Sequence, residues 1–306
     1  MKYLILFIIT ITFSYTQPTF AQEQLTSEDL AAFDTQCVEG DINICFVLGS
    51  AYAIGEEVTQ NGEKAVHFLE LGCNGGNASS CFNLAILYSE GKIVENNRAK
   101  QLSYSNLACE HGNMDACYNL GITYSDAKSG ELNTKKAVKY YEMACNNKMM
   151  LACYNLGLDY SRGEIFDLDS KKAVKYLEIA CEGKEFRGCY NLGQIYYHGR
   201  ILAQNSSKMV KYWDKACGGG ILGGCFNLGL QYDNGLLVVQ NGSKAINYYT
   251  IACNGDHFRA CSNLGVLYGE GKIVPLNMRK ARKSFKKACQ DGINQACQGY
   301  KMLGGL

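Results

Sequence analysis
The sequence predicts an all-α protein, a solenoid of stacked α/α hairpins wound as a right-handed superhelix. Three observations carry that expectation. The cysteines fall in C-x7-C pairs that recur every 36 residues without an insertion or deletion, and a strict period of roughly 20–50 residues marks a stacked repeat rather than one closed core. Between the cysteines, apolar residues recur at the spacing of one helix face. Asn or Asp then returns at one column and Gly at another, where helices start and stop.

Taken in order, the chain opens with Met1-Lys2, an apolar run from Tyr3 to Phe13 and a small-x-small site at Thr19-Phe20-Ala21. That is the pattern of a secretory signal peptide, expected over residues 1–21. The run is shorter than the about 20 residues of a spanning helix, and no later stretch could cross a bilayer. The mature chain, from Gln22, is expected to be soluble in an oxidising space, periplasmic or extracellular. Residues 22–44 are assigned to an N-terminal helix, running from Thr26 to Cys37, with Thr26-Ser27-Glu28-Asp29 as its capping box.

Seven 36-residue repeats are expected over 45–292. Each has a leading helix that starts at the second cysteine of a pair, as in Cys117-Tyr118-Asn119-Leu120-Gly121-Ile122-Thr123-Tyr124. Counting from that cysteine, the aromatic, Leu and Tyr at offsets 1, 3 and 7 are placed on the packed side with Gly at offset 4. A loop follows with Gly91, Gly163, Gly199, Gly235 or Gly271 at one column. Asn61, Asn97, Asn133, Asp169, Asn205, Asn241 and Asn277 then cap a trailing helix such as Lys136-Ala137-Val138-Lys139-Tyr140-Tyr141-Glu142-Met143-Ala144-Cys145. One hairpin cannot bury its apolar face alone, so it stacks on its neighbours. Residues 293–306, where Cys297-Gln298-Gly299-Tyr300 departs from the repeat, are assigned to a capping helix.

Cysteines 36 apart would lie on stacked helices with axes about 8–10 Å apart, whereas a disulfide needs Cα atoms about 4.4–6.8 Å apart. Pairing across 28 residues would strand Cys37 and Cys297. Pairing across 8 residues leaves no orphan. The expected bridges are Cys37–Cys45, Cys73–Cys81, Cys109–Cys117, Cys145–Cys153, Cys181–Cys189, Cys217–Cys225, Cys253–Cys261 and Cys289–Cys297. Each closes a loop of about 9 residues, worth roughly 2–3 kcal/mol in the chain-entropy model. C-x7-C lacks the close ligand spacing of structural zinc sites, and the sequence calls for no metal and no cofactor.

Composition narrows the function. With 47% hydrophobic residues the chain has material for a large core. The 30 basic and 29 acidic residues are read as interspersed along the whole length, which excludes an electrostatic nucleic-acid binder. Asparagine recurs at offset 2 of the leading helices, as Asn83, Asn119, Asn155, Asn191, Asn227 and Asn263, beside variable columns at offsets 6 and 9. Two readings stay open. The asparagines form a solvent-facing ligand strip on the concave side, since an amide pairs with any peptide backbone, or they bond to the backbone of the neighbouring repeat. Tyr52, Tyr88, Tyr124, Tyr160, Tyr196, Tyr232 and Tyr268 at offset 7 are assigned to packing between repeats. Lys64, Lys100, Lys136, Lys172, Lys208, Lys244 and Lys280 fall three residues after the cap, where a cation opposes the helix dipole. Bonds to loop carbonyls, with the stems along tyrosines, are the expected compensation, and a ligand contact is the alternative.

The paired cysteines, the 36-residue unit, the Cys-(Tyr/Phe)-Asn-Leu-Gly-x-x-Tyr helix and the Lys-Ala-Val-Lys-Tyr-Tyr-Glu-x-Ala-Cys helix resemble the Helicobacter cysteine-rich protein family, a disulfide-bridged branch of the Sel-like, tetratricopeptide-related repeats. The resemblance covers essentially all of the mature chain. It implies an α/α solenoid, secretion, a concave surface for a peptide or protein, and penicillin binding with weak β-lactamase activity. Ser-x-x-Lys occurs at Ser89 to Lys92, Ser125 to Lys128 and Ser284 to Lys287. Lys128-Ser129-Gly130 resembles the Lys-Thr-Gly element of β-lactamases but overlaps the Ser125 motif, so the two cannot form opposite walls of one pocket. His67, His111, His198 and His257 fall in unrelated columns, unlike the clustered ligands of a zinc hydrolase. The expectation is therefore a secreted monomer that binds a peptide, cell-wall-like or β-lactam-like ligand, or serves as a scaffold for host or envelope proteins, with no catalytic constellation.

Overall fold
A computed structural model describes residues 26–56, 58–128 and 130–305, so the expected signal peptide lies outside the described residues. Two compact units divide the chain, Met1–His111 and Gly112–Leu306. The first contains α1 (Ser27–Val38), α2 (Ile42–Ile54), α3 (Gly62–Asn74), α4 (Ala78–Glu90) and α5 (Arg98–Glu110). The second contains α6 (Met114–Ser125), α7 (Thr134–Asn146), α8 (Met150–Arg162), α9 (Ser170–Glu182), α10 (Phe186–His198), α11 (Ser206–Gly218), α12 (Leu222–Asn234), α13 (Gly242–Asn254), α14 (Phe258–Glu270), α15 (Met278–Gln290) and α16 (Asn294–Met302). Every regular element among the described residues is an α-helix. The even-numbered helices from α2 to α14 are leading helices, each paired with the odd-numbered trailing helix that follows.

Local chemistry sets these boundaries. The carboxamide of Asn61 accepts from the N–H of Lys64 at 3.0 Å, and the other caps of the trailing helices repeat the bond. The cap's own N–H donates back to the offset-7 tyrosine carbonyl, 2.9 Å from Asn61 to Tyr52 and 2.8 Å from Asn241 to Tyr232, which closes the hairpin loop. Most leading helices end on a left-handed glycine, Gly163 at φ 68° for example. Helix α6 has Ala127 at that column, and it stops at Ser125 with Asp126 extended instead.

The turn from each trailing helix to the next leading helix carries the disulfide. Seven bridges span 8 residues each, with Cα–Cα distances of 4.5–4.8 Å. Cys109 and Cys117 are disulfide-bonded as well, and no cysteine among the described residues is free. The same turn needs one left-handed residue. Glycine fills it at 40, 76, 112, 220 and 292, but Lys148, Lys184 and Asp256 occupy it at φ 67°, 70° and 67°.

The core runs between the two helices of each hairpin. Leu84, Leu156, Leu192 and Leu228 of the leading helices are fully buried, as are Ala137, Ala173 and Ala245 of the trailing ones. The helices approach closely at offset 4. A Cβ on Gly157 would meet the Leu177 amide nitrogen at 2.9 Å and the Ala173 carbonyl oxygen at 3.1 Å, and one on Gly193 would strike the Trp213 ring. The partner lies 20 residues on and is large wherever glycine stands: Leu69, Tyr141, Leu177, Trp213, Tyr249 and Phe285. Where Ala85 replaces glycine, the partner shrinks to Ser105.

Two outcomes follow from this packing. Gly157→Ala lowers the unfolding free energy in urea, because overpacking against backbone costs about 1–3 kcal/mol and outweighs the better helix propensity of alanine, while Ala85→Gly changes it by less than about 1 kcal/mol. Lys184→Gly raises it by about 1 kcal/mol, since a left-handed non-glycine residue costs roughly 1–2 kcal/mol.

Candidate interaction surface
Apart from Asn119, the asparagine column neither faces open solvent nor reaches neighbouring backbone in the way the sequence suggests. Asn83, Asn155, Asn191, Asn227 and Asn263 are half-buried, and Asn119 alone is exposed. Their amides bond mainly to hydroxyls outside their own helix. Asn155 donates to the Tyr118 hydroxyl at 3.1 Å and Asn191 to that of Tyr154 at 3.3 Å, each 37 residues earlier. Asn83 donates to Ser50 at 3.1 Å and Asn263 to Tyr249 at 3.2 Å. Sequence explains the exceptions. The residue 37 before Asn263 is Phe226, with no hydroxyl to offer, and Phe82 holds that place before Asn119. The Tyr190 hydroxyl, 37 before Asn227, already accepts from Gln194 at 3.0 Å.

These bonds hold a row of aromatic rings that the sequence reading assigned to the packed side. In the second unit, Tyr118, Tyr154, Tyr190 and Phe226 at offset 1 are half-buried; the last three lie over the core, and the Tyr118 ring lies 6.1 Å from that of the buried Tyr141. The following repeat covers some of them from the side. The Arg187 guanidinium lies 4.8 Å from the Tyr154 ring and is held by Glu185 through bonds of 2.7 and 2.8 Å. His257 stacks on Phe226 at 4.4 Å. At Gly223 no side chain intervenes, and an added Cβ would lie 3.1 Å from Tyr190. Beside the row runs an apolar column at offset 5, in which Ile122 is 39% exposed and Leu158, Leu230 and Val266 are half-buried. The recurring alternation of Tyr and Phe beside Asn was the available sequence signal. Helical period does not separate burial from half-burial, because a ring lying along a helix–helix groove obeys the same spacing as one inside it.

The recurring lysines find a different compensation from the one the sequence suggests. Each ammonium sits over the offset-7 tyrosine ring of its own hairpin, at 4.7–5.1 Å, in all seven repeats. Several also donate to that tyrosine's hydroxyl, Lys100 to Tyr88 at 3.0 Å and Lys208 to Tyr196 at 3.2 Å. A solvent-exposed cation over a ring contributes about 0.5–1 kcal/mol, enough to offset the dipole. The offset-7 tyrosines pack within the hairpin, not between repeats: Tyr196 stacks on Tyr212 at 5.9 Å and Tyr232 on Tyr248 at 5.9 Å. The link to the preceding repeat starts from that second ring. Tyr176 donates to Glu142 at 2.5 Å, Tyr212 to Glu178 at 2.5 Å and Tyr248 to Asp214 at 2.7 Å. Burial and the carboxylate bond raise all three hydroxyl pKa values well above the usual phenol range.

None of the three Ser-x-x-Lys matches joins its serine to its lysine. The Ser125 hydroxyl is buried against the Ile122 carbonyl and the Tyr141 hydroxyl, at 3.0 and 3.1 Å. Lys92 pairs with Glu90 at 3.0 Å, and Lys287 pairs with Asp256 at 2.9 Å while donating to the Cys253 carbonyl at 2.8 Å. His67 lies on α3, His111 and His257 cap helices and His198 ends α10. Among the described residues no group of three His, Cys, Asp or Glu could hold a metal, and no helix is long and apolar enough to cross a membrane.

A disulfide-pinned stack of α/α hairpins with half-exposed polar and aromatic columns defines an α-helical repeat scaffold, a class suited to protein–protein interaction. The Sel1 repeat matches the chain seven times, at residues 45–77, 78–113, 115–149, 151–184, 187–220, 223–257 and 259–293, and the chain belongs to the Sel1 repeat family. Among solved structures it is similar to a protective antigen present in uropathogenic Escherichia coli strains, with a TM-score of 0.70 and 20% identity over 90% of this chain and 59% of that one. The chain thus spans about three fifths of that antigen's length. A Sel1 repeat protein from Oxalobacter formigenes matches with a TM-score of 0.67 and 24% identity over 90% of this chain and 80% of that one. Helicobacter pylori cysteine rich protein B is 30% identical over 46% of this chain and 99% of its own, with a TM-score of 0.36. No curated protein matches the chain by sequence.

Two polar groups on the leading helices are buried at a cost. The Gln231 carboxamide oxygen has no hydrogen-bond partner among the described residues. Asp159 is half-buried, and its burial, opposed by Arg162 and reinforced by Glu164, pushes its pKa up from 3.8 to about 6. A carboxyl whose folded pKa is raised binds its proton more tightly in the native state, so its contribution to stability falls as pH rises from about 4 through about 6. Asp159→Asn should therefore raise the melting temperature at pH 7.5, by an amount equivalent to about 1 kcal/mol after allowance for solvent access. The gain should disappear below about pH 4 in calorimetry across that range.

Proposed function
We propose that this protein is a binding scaffold of an oxidising extracytoplasmic space, periplasmic or external, and that it captures an extended peptide segment of a partner along the leading helices. One observation carries the reading: Tyr118, Tyr154, Tyr190 and Phe226 form a half-exposed aromatic row, with Asn155 and Asn191 bonded to two of its hydroxyls. Tyrosine rings offer large contact area at low conformational cost. Asn119 and Asn227, whose amides make no hydrogen bond among the described residues, supply the donor–acceptor pair for a peptide backbone. The remaining recurring asparagines hold the surface in shape. Penicillin hydrolysis, which the family resemblance implies, gains no support from Ser125 bonded away from Lys128, or from Lys92 and Lys287 bonded away from Ser89 and Ser284.

The test is selection of displayed peptides on the oxidised chain, followed by affinity measurement. Tyr154→Ala with Tyr190→Ala should weaken a selected peptide at least about tenfold, or roughly 1.4 kcal/mol. Lys175→Ala on a trailing helix should leave affinity unchanged. Selected peptides indifferent to the tyrosines, or no selection at all, would overturn the assignment of this face.

A further inference from the structure
The two ends of the chain break the charge balance of the whole. Residues 26–63 hold eight acidic residues and no Lys or Arg, whereas residues 272–301 hold eight basic residues and one acidic. The interspersed charge that composition suggests is therefore confined to the middle of the chain.

In the last hairpin this change is built into the repeat columns. Glu70, Glu142, Glu178 and Asp214 occupy the position that accepts the tyrosine of the next trailing helix. At that position α15 carries Lys286, which inverts the charge. Val66, Leu102, Val138, Val174, Val210 and Ile246 form another column, and α15 replaces it with Arg282. The outcome is a cleft of about 530 Å³ between α15 and α16, floored by Met278, Tyr300 and Leu303 and rimmed by Arg279, Arg282, Lys283 and Lys286, with no carboxylate in its lining. Arg282 is anchored over the Tyr300 ring at 5.7 Å and donates to the Gly304 carbonyl at 2.7 Å. Arg279, Lys283 and Lys286 are exposed and make no hydrogen bond among the described residues. A terminal repeat needs a polar outer face for solubility, but solubility alone requires neither a single sign of charge nor an apolar floor.

The opposite character appears at the start of the described chain. Helix α1 exposes Glu28, Asp34 and Glu39, and Val38 at its end is 68% exposed. A cleft of about 570 Å³ between α1 and the α2–α3 hairpin has Leu30, Ala31 and Phe68 on its walls and Asp34 and Glu63 on its rim. Lys64 and His67 also border it, Lys64 held over the Tyr52 ring at 4.9 Å.

We propose that the basic α15–α16 end of one copy docks on the acidic α1–α3 end of a second copy, head to tail. Arg279, Lys283 and Lys286 meet Glu28, Asp34 and Glu63 around two apolar floors of similar size. This departs from the monomer expected of the sequence, and it uses surfaces separate from the proposed peptide face. The contact joins two different surfaces, so an added copy brings a further unpaired end, and the copies form an open row or a closed ring. Exposed charges drive it, and salt screens them beyond about 8–10 Å, so association belongs to low ionic strength.

The experiment is sedimentation equilibrium of the oxidised chain over a concentration series. At about 20 mM salt the weight-average mass should rise with concentration, and at about 0.5 M salt it should return to that of one chain. Reversing one end, by Arg279→Glu, Lys283→Glu and Lys286→Glu, should weaken association at least tenfold. Reversing the other, by Glu28→Lys, Asp34→Lys and Glu63→Lys, should do the same. Mixing the two variants should restore it, because each then carries an end complementary to the other, and restoration also shows that both variants fold. A chain that stays monomeric at every concentration in low salt overturns the proposal. So does association unaffected by reversal, or a monomeric chain that instead binds polyglutamate at α15, which would give the basic end to an acidic foreign partner.

Discussion

The disulfide across each C-x7-C turn is the constraint on which the other regularities rest. It ties the last turn of a trailing helix to the first turn of the next leading helix through sulfurs that are almost wholly buried, with Cys73, Cys81, Cys153 and Cys189 at 0% exposure. A bridge of about 9 residues closing a tight turn tolerates little change in the helices it joins. Within each unit, every such junction therefore places its two hairpins in the same register. That is why bonds 34 residues apart, from Tyr176 to Glu142 and from Tyr212 to Glu178, recur with the same partners. The 37-residue bonds from Asn155 to Tyr118 and from Asn191 to Tyr154 recur for the same reason.

Within each hairpin the polar side chains divide the work between two faces. On the trailing side of four hairpins, lysine lies over one tyrosine, that ring stacks on a second, and the second donates to a carboxylate of the preceding repeat. The chain of contacts satisfies a part-buried hydroxyl, gives a carboxylate a donor and occupies a cation that would otherwise oppose its helix dipole. On the leading side the ties are fewer. Asn119 is exposed, the offset-1 rings are half-covered, and Ile122 keeps part of its side chain in water.

Much of the fold was legible because its signals are local or strictly periodic. The Asn caps act within three residues, the left-handed glycines within one turn, and the cysteine spacing admits one economical pairing. The Gly–large and Ala85–Ser105 pairs, 20 residues apart, were also open to a reader of aligned repeats. One physical reason separates the remaining contacts from the sequence pattern. Offset-7 tyrosine, offset-1 aromatics and the recurrent lysine each obey helical periodicity, and periodicity reports which side of a helix a residue occupies without saying which neighbour covers it. Tyr196 could have packed on the next repeat; it stacks on Tyr212 of its own hairpin. Tyr154 could have been core; Arg187 covers it only in part.

The amino-acid sequence by itself determined the repeat length, the helix pairs, their caps and the oxidised state of the cysteines, since those depend on spacing along the chain and on backbone chemistry that any copy of the segment would show. It also carried the charge of each end, although the near-neutral total of the 306 residues concealed it. Tertiary structure alone decided which hydroxyl each asparagine meets, which ring each lysine covers and which columns stay half open. Those outcomes depend on distances between helices that the sequence does not encode one position at a time. The same geometry turns Lys286, an ordinary charged residue in the chain, into the inversion of a column that elsewhere joins one repeat to the next.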